Sequence, residues 1–152
     1  MTYRRAGPAD LPSLVELRLD FMRIVKDGGL PDEASWRAEL SELFARDMAE
    51  GRLVCWICLD GDAVVGASGI AFEPPRRAGS PGDPTEALIL NMYTRPAYRR
   101  RGIAAELLRR SIEEGRARGL RRLRLQPTAD GRALYERSGF RPAGKDMVLE
   151  LG

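Results

Sequence analysis

Apolar residues recur every three or four positions in two segments near the start of the chain, residues 11–25 and 32–51. This spacing is typical of an amphipathic helix that buries one face. Asp10 stands where a side chain caps the first segment, and the Asp-Gly-Gly sequence at 27–29 ends it. Gly51 ends the second segment. The pattern therefore predicts two consecutive helices.

The period changes after Gly51. Residues 53–59 and 63–72 are almost continuously apolar, and the Asp-Gly-Asp sequence at 60–62 between them has the composition of a hairpin turn. The second segment contains two glycines, which indicate a bulge or close packing. These residues predict two antiparallel strands. The proline-rich loop that follows, 73–86, is long for a small domain, and such loops are usually functional or mobile.

The rest of the chain alternates between strand and helix patterns. The predicted elements are a strand over 87–94, a helix over about 102–118, a strand over 120–126, a short helix over 131–139, and strand character over 140–144 and 146–151. Thr128 or Asp130 caps the short helix. Together with the first half, this order predicts an α/β fold with a mixed sheet.

The composition fits one soluble domain spanning residues 1–152. The chain is 43% hydrophobic, which is enough for one core. The N-terminus lacks the apolar segment of a signal peptide, and no stretch approaches the roughly 18 apolar residues of a membrane span. We therefore expect a cytoplasmic protein with no membrane partner.

Histidine is absent, which excludes catalysis by a serine–histidine pair and any histidine-ligated zinc site. The only cysteines, Cys55 and Cys58, are too few for a zinc site made of cysteines alone. Their C-x-x-C spacing falls on a predicted strand, where residues three apart point to opposite faces. We therefore interpret both as small core residues and expect no metal.

Charge is unevenly distributed along the chain. Residues 1–90 hold 10 Lys or Arg and 15 Asp or Glu, whereas residues 91–152 hold 15 and 7. The strongest basic cluster is Arg99, Arg100 and Arg101, which precede Gly102 at the turn between the strand and the helix. Adjacent like charges repel, so a cluster of arginines usually indicates that an anion binds there. A helix N-terminus also presents unpaired amides, which makes this turn suited to bind a phosphate. The patterns of nucleoside triphosphate loops and dinucleotide folds are both missing.

Two motifs resemble the GNAT superfamily of N-acetyltransferases. Arg99, Gly102 and Ala104 match the pattern Q/R-x-x-G-x-G/A of its acetyl-CoA site, and the sequence ALYERSGF at 133–140 is similar to its A-x-x-L-Y-x-x-x-G-F helix. The resemblance implies a GNAT-like α/β fold, in which a mixed central sheet carries helices on both faces. It also implies an acyltransferase that uses acetyl-CoA and no metal.

The resemblance also implies roles for individual residues. The amide of Met92 or of a neighbour is implied to stabilise the thioester carbonyl at a strand bulge, and main-chain groups of Met92, Tyr93 and Thr94 to line the pantetheine arm. The implied pyrophosphate site comprises Arg99, Arg100, Arg101, Gly102, Ile103 and Ala104. Thr128 stands where relatives often place an asparagine that contacts the coenzyme, so it either replaces that contact or only caps the helix.

The acid–base groups follow from the same resemblance. Tyr135 is implied to protonate the leaving thiolate, and a phenol is protonated at neutral pH. Glu86 or Glu73 is the candidate base. The acceptor site would be built by the N-terminal helices, whose acidic residues favour a small or peptidic amine of cationic character. Relatives often dimerise through terminal strands, which leaves the choice between monomer and homodimer open.

Two other functions remain open at this stage. A non-catalytic acyl-CoA sensor would share the fold, although the presence of Tyr135 argues against it. A nucleic-acid-binding module would account for Arg99–Arg101 and for the basic residues near 118–124. The low net charge of +3 argues against that second alternative, so we expect no nucleic-acid partner.

Overall fold

The computed structural model of the chain describes residues 1–26, 29–72 and 84–152. Its elements in chain order are β1 Thr2–Arg5, α1 Leu11–Val25, α2 Glu33–Ala49, β2 Leu53–Asp60, β3 Ala63–Phe72, β4 Glu86–Thr94, α3 Ile103–Ala117, β5 Arg122–Leu125, α4 Arg132–Arg137, β6 Arg141–Ala143 and β7 Asp146–Glu150. The described strands form one sheet in the order β1-β2-β3-β4-β5-β7-β6. Only β4 and β5 are parallel neighbours. The predicted α/β fold with a mixed sheet is therefore confirmed.

Helices cover both faces of this sheet. On one face, Leu14 and Leu17 of α1 pack with Phe44 of α2 and with alternate residues of β2. On the other face, Ile103 and Leu107 of α3 pack with Cys58 and the partly buried Trp56 of β2. The helix-on-both-faces arrangement expected from the family resemblance is confirmed. No helix within the described parts of the chain is long and apolar enough to cross a membrane.

Cys55 and Cys58 lie on opposite faces of β2, as the strand pattern predicts. Cys55 packs with the α1 and α2 residues, whereas Cys58 packs with Ile103 and Leu107. Both are buried and neither forms a disulfide. Burial raises the pKa of the Cys55 thiol to about 12, which keeps it protonated. The interpretation of the pair as core residues is confirmed.

The glycines of β3 allow the close packing that the sequence indicates. A Cβ atom at Gly66 would lie 3.0 Å from Cγ2 of Ile103, so α3 approaches the strand backbone closely there. The register with β2 also shifts between Cys58 and Leu59, which leaves Val65 as the extra residue of a bulge. Both alternatives that the glycines suggested therefore occur in β3.

Two details differ from the sequence prediction. Strand β1 was missed, because it is only four residues long and lies at the edge of the sheet with mostly exposed side chains. Asp10 does occupy the N-cap of α1, but its carboxylate makes no capping bond to that helix. It accepts instead from the Gly7 amide at 2.7 Å and pairs with Arg4.

Part of the prediction lies outside the described residues. This applies to residues 27 and 28 at the end of the first helix and to most of the 73–86 loop, including Glu73 as a candidate base.

A buried hydrogen bond fixes α3 to the centre of the sheet. The hydroxyl groups of Ser68 in β3 and Ser111 in α3 lie 2.9 Å apart, and both residues are fully buried. We expect Ser111→Ala to lower the free energy of unfolding by about 1–3 kcal/mol, because the Ser68 hydroxyl would stay buried without a partner. Urea unfolding measures this, with the exposed Ser35→Ala as the control.

The double variant Ser68→Ala/Ser111→Ala separates this bond from simple packing. Its loss of stability should be clearly smaller than the sum of the two single losses, since neither hydroxyl is then left unpaired. Additive losses would show that the hydrogen bond does not stabilise the fold.

Candidate active site

Strand β4 contains one extra residue near its middle. Tyr93 pairs with Ala67 and Leu90 pairs with Gly69, so Asn91 and Met92 together lie opposite Ser68. Asn91 has a φ of 56°, in the left-handed region that asparagine enters more readily than most residues. The strand bulge expected at or beside Met92 is therefore present.

The bulge reverses the direction of the side chains that follow it. Ile89 packs with Leu108 of α3, whereas Tyr93 packs with Leu14 and Leu17 of α1. Residues four apart on a regular strand point to the same face. The extra residue therefore moves Tyr93 to the face covered by the N-terminal helices.

Strand β4 also extends beyond its parallel neighbour. Its pairing with β5 covers only Glu86–Ile89 against Arg122–Leu125. The next five residues, Leu90 to Thr94, continue the strand for about 15 Å without a described strand beside them on that edge. This open edge can accept an extended ligand whose amide groups pair with the backbone.

The turn after β4 has the backbone conformation of a phosphate cradle. Arg100 and Gly102 both have positive φ angles, 62° and 78°, and α3 begins directly afterwards at Ile103. The first amides of α3 therefore face outward from a tight turn. The Ile103 side chain is buried in the core, so this residue can contribute only its main chain to a ligand.

The three arginines of the turn are exposed and have no carboxylate partner among the described residues. Arg99 donates from Nε to the Thr94 carbonyl at 3.1 Å and lies 5.6 Å from the centre of the Tyr93 ring. Arg101 lies 5.1 Å from the centre of the Tyr98 ring. Neighbouring arginines are neutralised in contrast, as the pair of Arg95 with Asp20 at 2.8 Å illustrates. Positive charge is therefore available for an anion at this turn.

Tyr135 is buried on α4 and packs edge to face against Phe140, with ring centres 5.9 Å apart. Burial raises the pKa of its phenol above the ordinary value, so it stays protonated at neutral pH. The Thr128 hydroxyl accepts from the Gly131 amide at 3.2 Å, at the start of α4. The N-cap of α4 is Gly131 and no described side chain caps the helix, so the predicted cap by Thr128 or Asp130 is wrong. The Thr128 hydroxyl closes only the turn that precedes the helix.

The geometry argues against Glu86 as the base. Glu86 is the first residue of β4, six residues and about 20 Å along the strand from Met92. Its carboxylate binds Arg122 at 2.7 Å and lies 3.8 Å from Arg124. Glu86 therefore forms an ion pair at the end of the strand that lies far from the bulge.

A narrow crevice opens beside the bulge on the face of α1 and α2. It is shallow, with a cavity volume of about 10 Å³, and the figure rises to about 260 Å³ only when the open space at its mouth is counted. Its lining residues are Leu14, Leu17, Arg18, Phe44, Cys55, Ala67, Ser68, Gly69 and Asn91. Sequence reasoning missed Arg18 and Asn91. The signal that could have identified them is a polar residue within an apolar pattern. Arg18, for example, lies four residues after Leu14 and three before Phe21, on the apolar face of α1.

No cluster of three His, Cys, Asp or Glu side chains within residues 1–26, 29–72 and 84–152 could hold a metal ion. The candidate site therefore consists of the β4 bulge, the open strand edge, the arginine turn and Tyr135. These groups offer backbone donors, positive charge and one protonated phenol.

Sequence comparison identifies one family. The sequence model of the acetyltransferase (GNAT) family matches residues 11–140. No curated protein matches the chain at a significant level.

Solved structures show the same fold. A predicted acetyltransferase from Clostridium acetobutylicum, crystallised with acetyl-CoA, is 29% identical with a TM-score of 0.76, over 95% of this chain and 92% of that one. A GCN5-related N-acetyltransferase from Ralstonia eutropha JMP134 is 26% identical with a TM-score of 0.79, over 94% of each chain. An N-acetyltransferase from Thermoplasma acidophilum in complex with coenzyme A, 18% identical over 97% of each chain with a TM-score of 0.69, shows the likeness of fold alone.

Gly131 leaves room for the ring of Tyr135. A Cβ atom at Gly131 would lie 2.8 Å from Cε2 of Tyr135, closer than packed carbon atoms come. We expect Gly131→Ala to displace the ring, to change the near-ultraviolet circular dichroism and to lower the free energy of unfolding by about 1–3 kcal/mol.

The matched control is Gly7→Ala, because Gly7 has a φ of −110° and no atom near its absent Cβ. Equal stability and an unchanged spectrum in both variants would contradict the placement of the Tyr135 ring.

Proposed function

Because the chain belongs to the acetyltransferase (GNAT) family, we propose that it transfers the acetyl group of acetyl-CoA to a primary amine. In this proposal the amine attacks the thioester directly within a ternary complex. The thioester supplies an already activated acyl group, so no covalent enzyme intermediate is needed. This mechanism suits a chain that contains no histidine.

The observation that carries the proposal is the continuity of the open β4 edge with the arginine turn. The edge from Leu90 to Thr94 leads directly to Arg99–Arg101, which have no ion pair with a described carboxylate, and to the first amides of α3. Coenzyme A combines an extended arm that contains amides with a pyrophosphate. Its arm would pair with the strand edge, and its pyrophosphate would bind the turn.

Each residue of the site then has a task. The amides from Arg99 to Ala104 bind the pyrophosphate, and exposed guanidinium groups of the turn add charge. The backbone of Met92 and Tyr93 binds the arm, whereas the Thr94 carbonyl already accepts from Arg99. The amide of Met92 at the bulge stabilises the negative charge that develops on the thioester oxygen. Tyr135 donates a proton to the departing thiolate.

The proposal contains no carboxylate base. Glu86 is too distant, and the lining of the crevice beside the bulge includes no carboxylate. The amine therefore loses its proton to water and attacks in its neutral form. The rate should then follow the pKa of the amine and not that of a side chain near pH 4–5.

The cationic character expected of the acceptor loses part of its support. Asp20 already pairs with Arg23 and Arg95, and Glu33 pairs with Arg23 and Arg37. These acidic side chains on the N-terminal helices therefore add little net negative charge to the site.

Nucleic acid is not part of the proposal either. On β5, Arg122 pairs with Glu86 and Glu150, and Arg124 pairs with Asp146. These arginines therefore bind carboxylates and do not form a free basic surface. A cytoplasmic location and a homodimer stay predictions.

Calorimetric titration of acetyl-CoA tests the cradle. We expect micromolar binding by the natural chain and a loss of about 10-fold or more in affinity for Arg99→Ala/Arg101→Ala, because charge-assisted bonds to phosphate are removed. The control is Arg46→Ala/Arg141→Ala, which removes two exposed arginines from α2 and β6. If well-folded natural protein fails to bind acetyl-CoA, the proposed function is wrong.

Thiol-release kinetics test the acid. We expect Tyr135→Phe to lower kcat by about 100-fold, because the thiolate would leave without a proton, while the affinity for acetyl-CoA stays nearly constant. Tyr3→Phe, on β1 away from the site, is the matched control. Unchanged turnover in Tyr135→Phe would assign the proton transfer to another group.

A further inference from the structure

Arg18 interrupts the apolar face of α1. Leu14, Leu17 and Leu19 around it are buried, and Arg18 itself is half-buried. Its guanidinium carbon lies 5.3 Å from the centre of the Phe21 ring, one turn along the helix. None of the described carboxylates forms an ion pair with it, although it occupies a helix that carries acidic residues.

Arginines close to Arg18, in contrast, form ion pairs with carboxylates. On the same helix, Arg23 pairs with Asp20 and Glu33. On α2, Arg37 pairs with Glu16 at 2.8 Å. The carboxylates on both sides of Arg18 in the sequence are therefore bound by other arginines.

The isolation of Arg18 has an energetic cost. Burial lowers the pKa of its guanidinium from the ordinary value, because the charge loses water and none of the described carboxylates pairs with it. A half-buried charge without a partner destabilises the fold. A feature that costs stability at a binding crevice indicates a role in function.

The position of Arg18 identifies that role. It lines the crevice together with Asn91 of the β4 bulge and with Ser68, which lies opposite the bulge on β3. The rest of the lining is mainly apolar and includes no carboxylate. A molecule that enters from the α1 face would therefore meet one positive charge beside the backbone that is proposed to hold the thioester.

We propose that Arg18 binds a carboxylate of the acceptor, so that the acceptor is a small molecule with an amine and a carboxylate a few bonds apart. This inference rests on the proposed acetyl transfer and names the substrate class of that site. The expected acceptor is amino-acid-like and has no net positive charge, unlike the cationic amine that the acidic helices suggested.

The guanidinium group is well suited to this task. It can donate two parallel hydrogen bonds to one carboxylate, and these bonds gain strength where water is excluded. The Phe21 ring holds the guanidinium in place from one side. Phe21 also packs edge to face against Tyr93, with ring centres 6.1 Å apart, which connects Arg18 to the strand that carries the bulge.

The reaction leaves the carboxylate unchanged. A bond forms between the amine nitrogen and the acetyl carbon, and the bond between that carbon and the coenzyme sulfur breaks. The proton that the nitrogen loses goes to water, the thiolate takes the phenol proton of Tyr135, and Tyr135 regains a proton from water. Arg18 acts on binding and orientation of the acceptor and takes no part in proton transfer.

A panel of matched amines tests the proposal. Free L-amino acids, glycine and β-alanine are compared as acceptors with their carboxamides and with the corresponding aminoalkylphosphonates, at saturating acetyl-CoA. We expect the natural chain to prefer at least one acid over its amide by about 10- to 100-fold in kcat/KM, the range for hydrogen bonds to a charged group. In Arg18→Gln this ratio should fall to about one, mainly through a higher KM for the acid.

The control is Arg46→Gln, which removes an exposed arginine from α2 and should keep the ratio of the natural chain. An acid-to-amide ratio near one in the natural chain would overturn the inference, and so would a ratio that Arg18→Gln retains. In either case, acetylation of the amides would leave the proposed function intact. A preference for the phosphonates over the carboxylates would overturn the assignment of the acceptor as a carboxylate.

Direct binding separates this inference from the proposed function. If no panel amine is acetylated and acetyl-CoA does not bind, the proposed function fails, and calorimetry of the acids with the protein then decides the role of Arg18. Binding of an acid that Arg18→Gln abolishes would support the carboxylate site, and the absence of binding by every acid would overturn it.

The stability of a third variant distinguishes a ligand-binding residue from a structural one. Arg18→Met keeps the packing of the aliphatic stem and removes the unpaired charge, so its unfolding midpoint in urea should equal or exceed that of the natural chain. A clear loss of stability would show that Arg18 serves the fold and would overturn the inference.

Discussion

The site depends on one extra residue in β4. Because Asn91 and Met92 share a single partner in β3, the side chains that follow exchange faces, and Tyr93 packs against α1 and not against α3. The same strand continues past the end of β5. A change of face and an unpaired edge thus occur together at the centre of the sheet, where the backbone would otherwise be fully paired. Bulges commonly re-aim strands next to active sites.

Strand β3, which lies opposite the bulge, is fixed in place by its contacts with α3. Ser68 lies across from Asn91 and Met92, and its hydroxyl bonds to Ser111 of α3. Gly66, two residues earlier, allows Ile103 at the start of α3 to approach the strand. The bulge and the first turn of α3 are therefore positioned by the same contacts. A site that needs both a strand amide and helix amides benefits from this shared support.

Arginine pairing shows where the chain leaves charge available. Many of its arginines bind carboxylates, including Arg95 directly after β4 and Arg122 and Arg124 on β5. Arg99 and Arg18 have no such partner among the described residues. The two lie near one aromatic pair, since Arg99 stacks on Tyr93, Arg18 stacks on Phe21, and these two rings pack edge to face. In the proposed reaction, Arg99 would serve the coenzyme and Arg18 the acceptor, on either side of this pair.

The sequence by itself determined the helices, the main strands, the turn at Arg99–Gly102 and the family, because hydrophobic period, glycine position and local motifs are properties of neighbouring residues. It could not locate the short strand β1, since four residues with mostly exposed side chains carry no periodic signal. It also could not show the ion pair of Glu86, because only the β4–β5 register reveals that Glu86 faces Arg122 at the first residue of the strand. The isolation of Arg18 was decided by tertiary structure alone: an ion pair depends on which helices pack together, and that contact is not encoded in spacing along one helix.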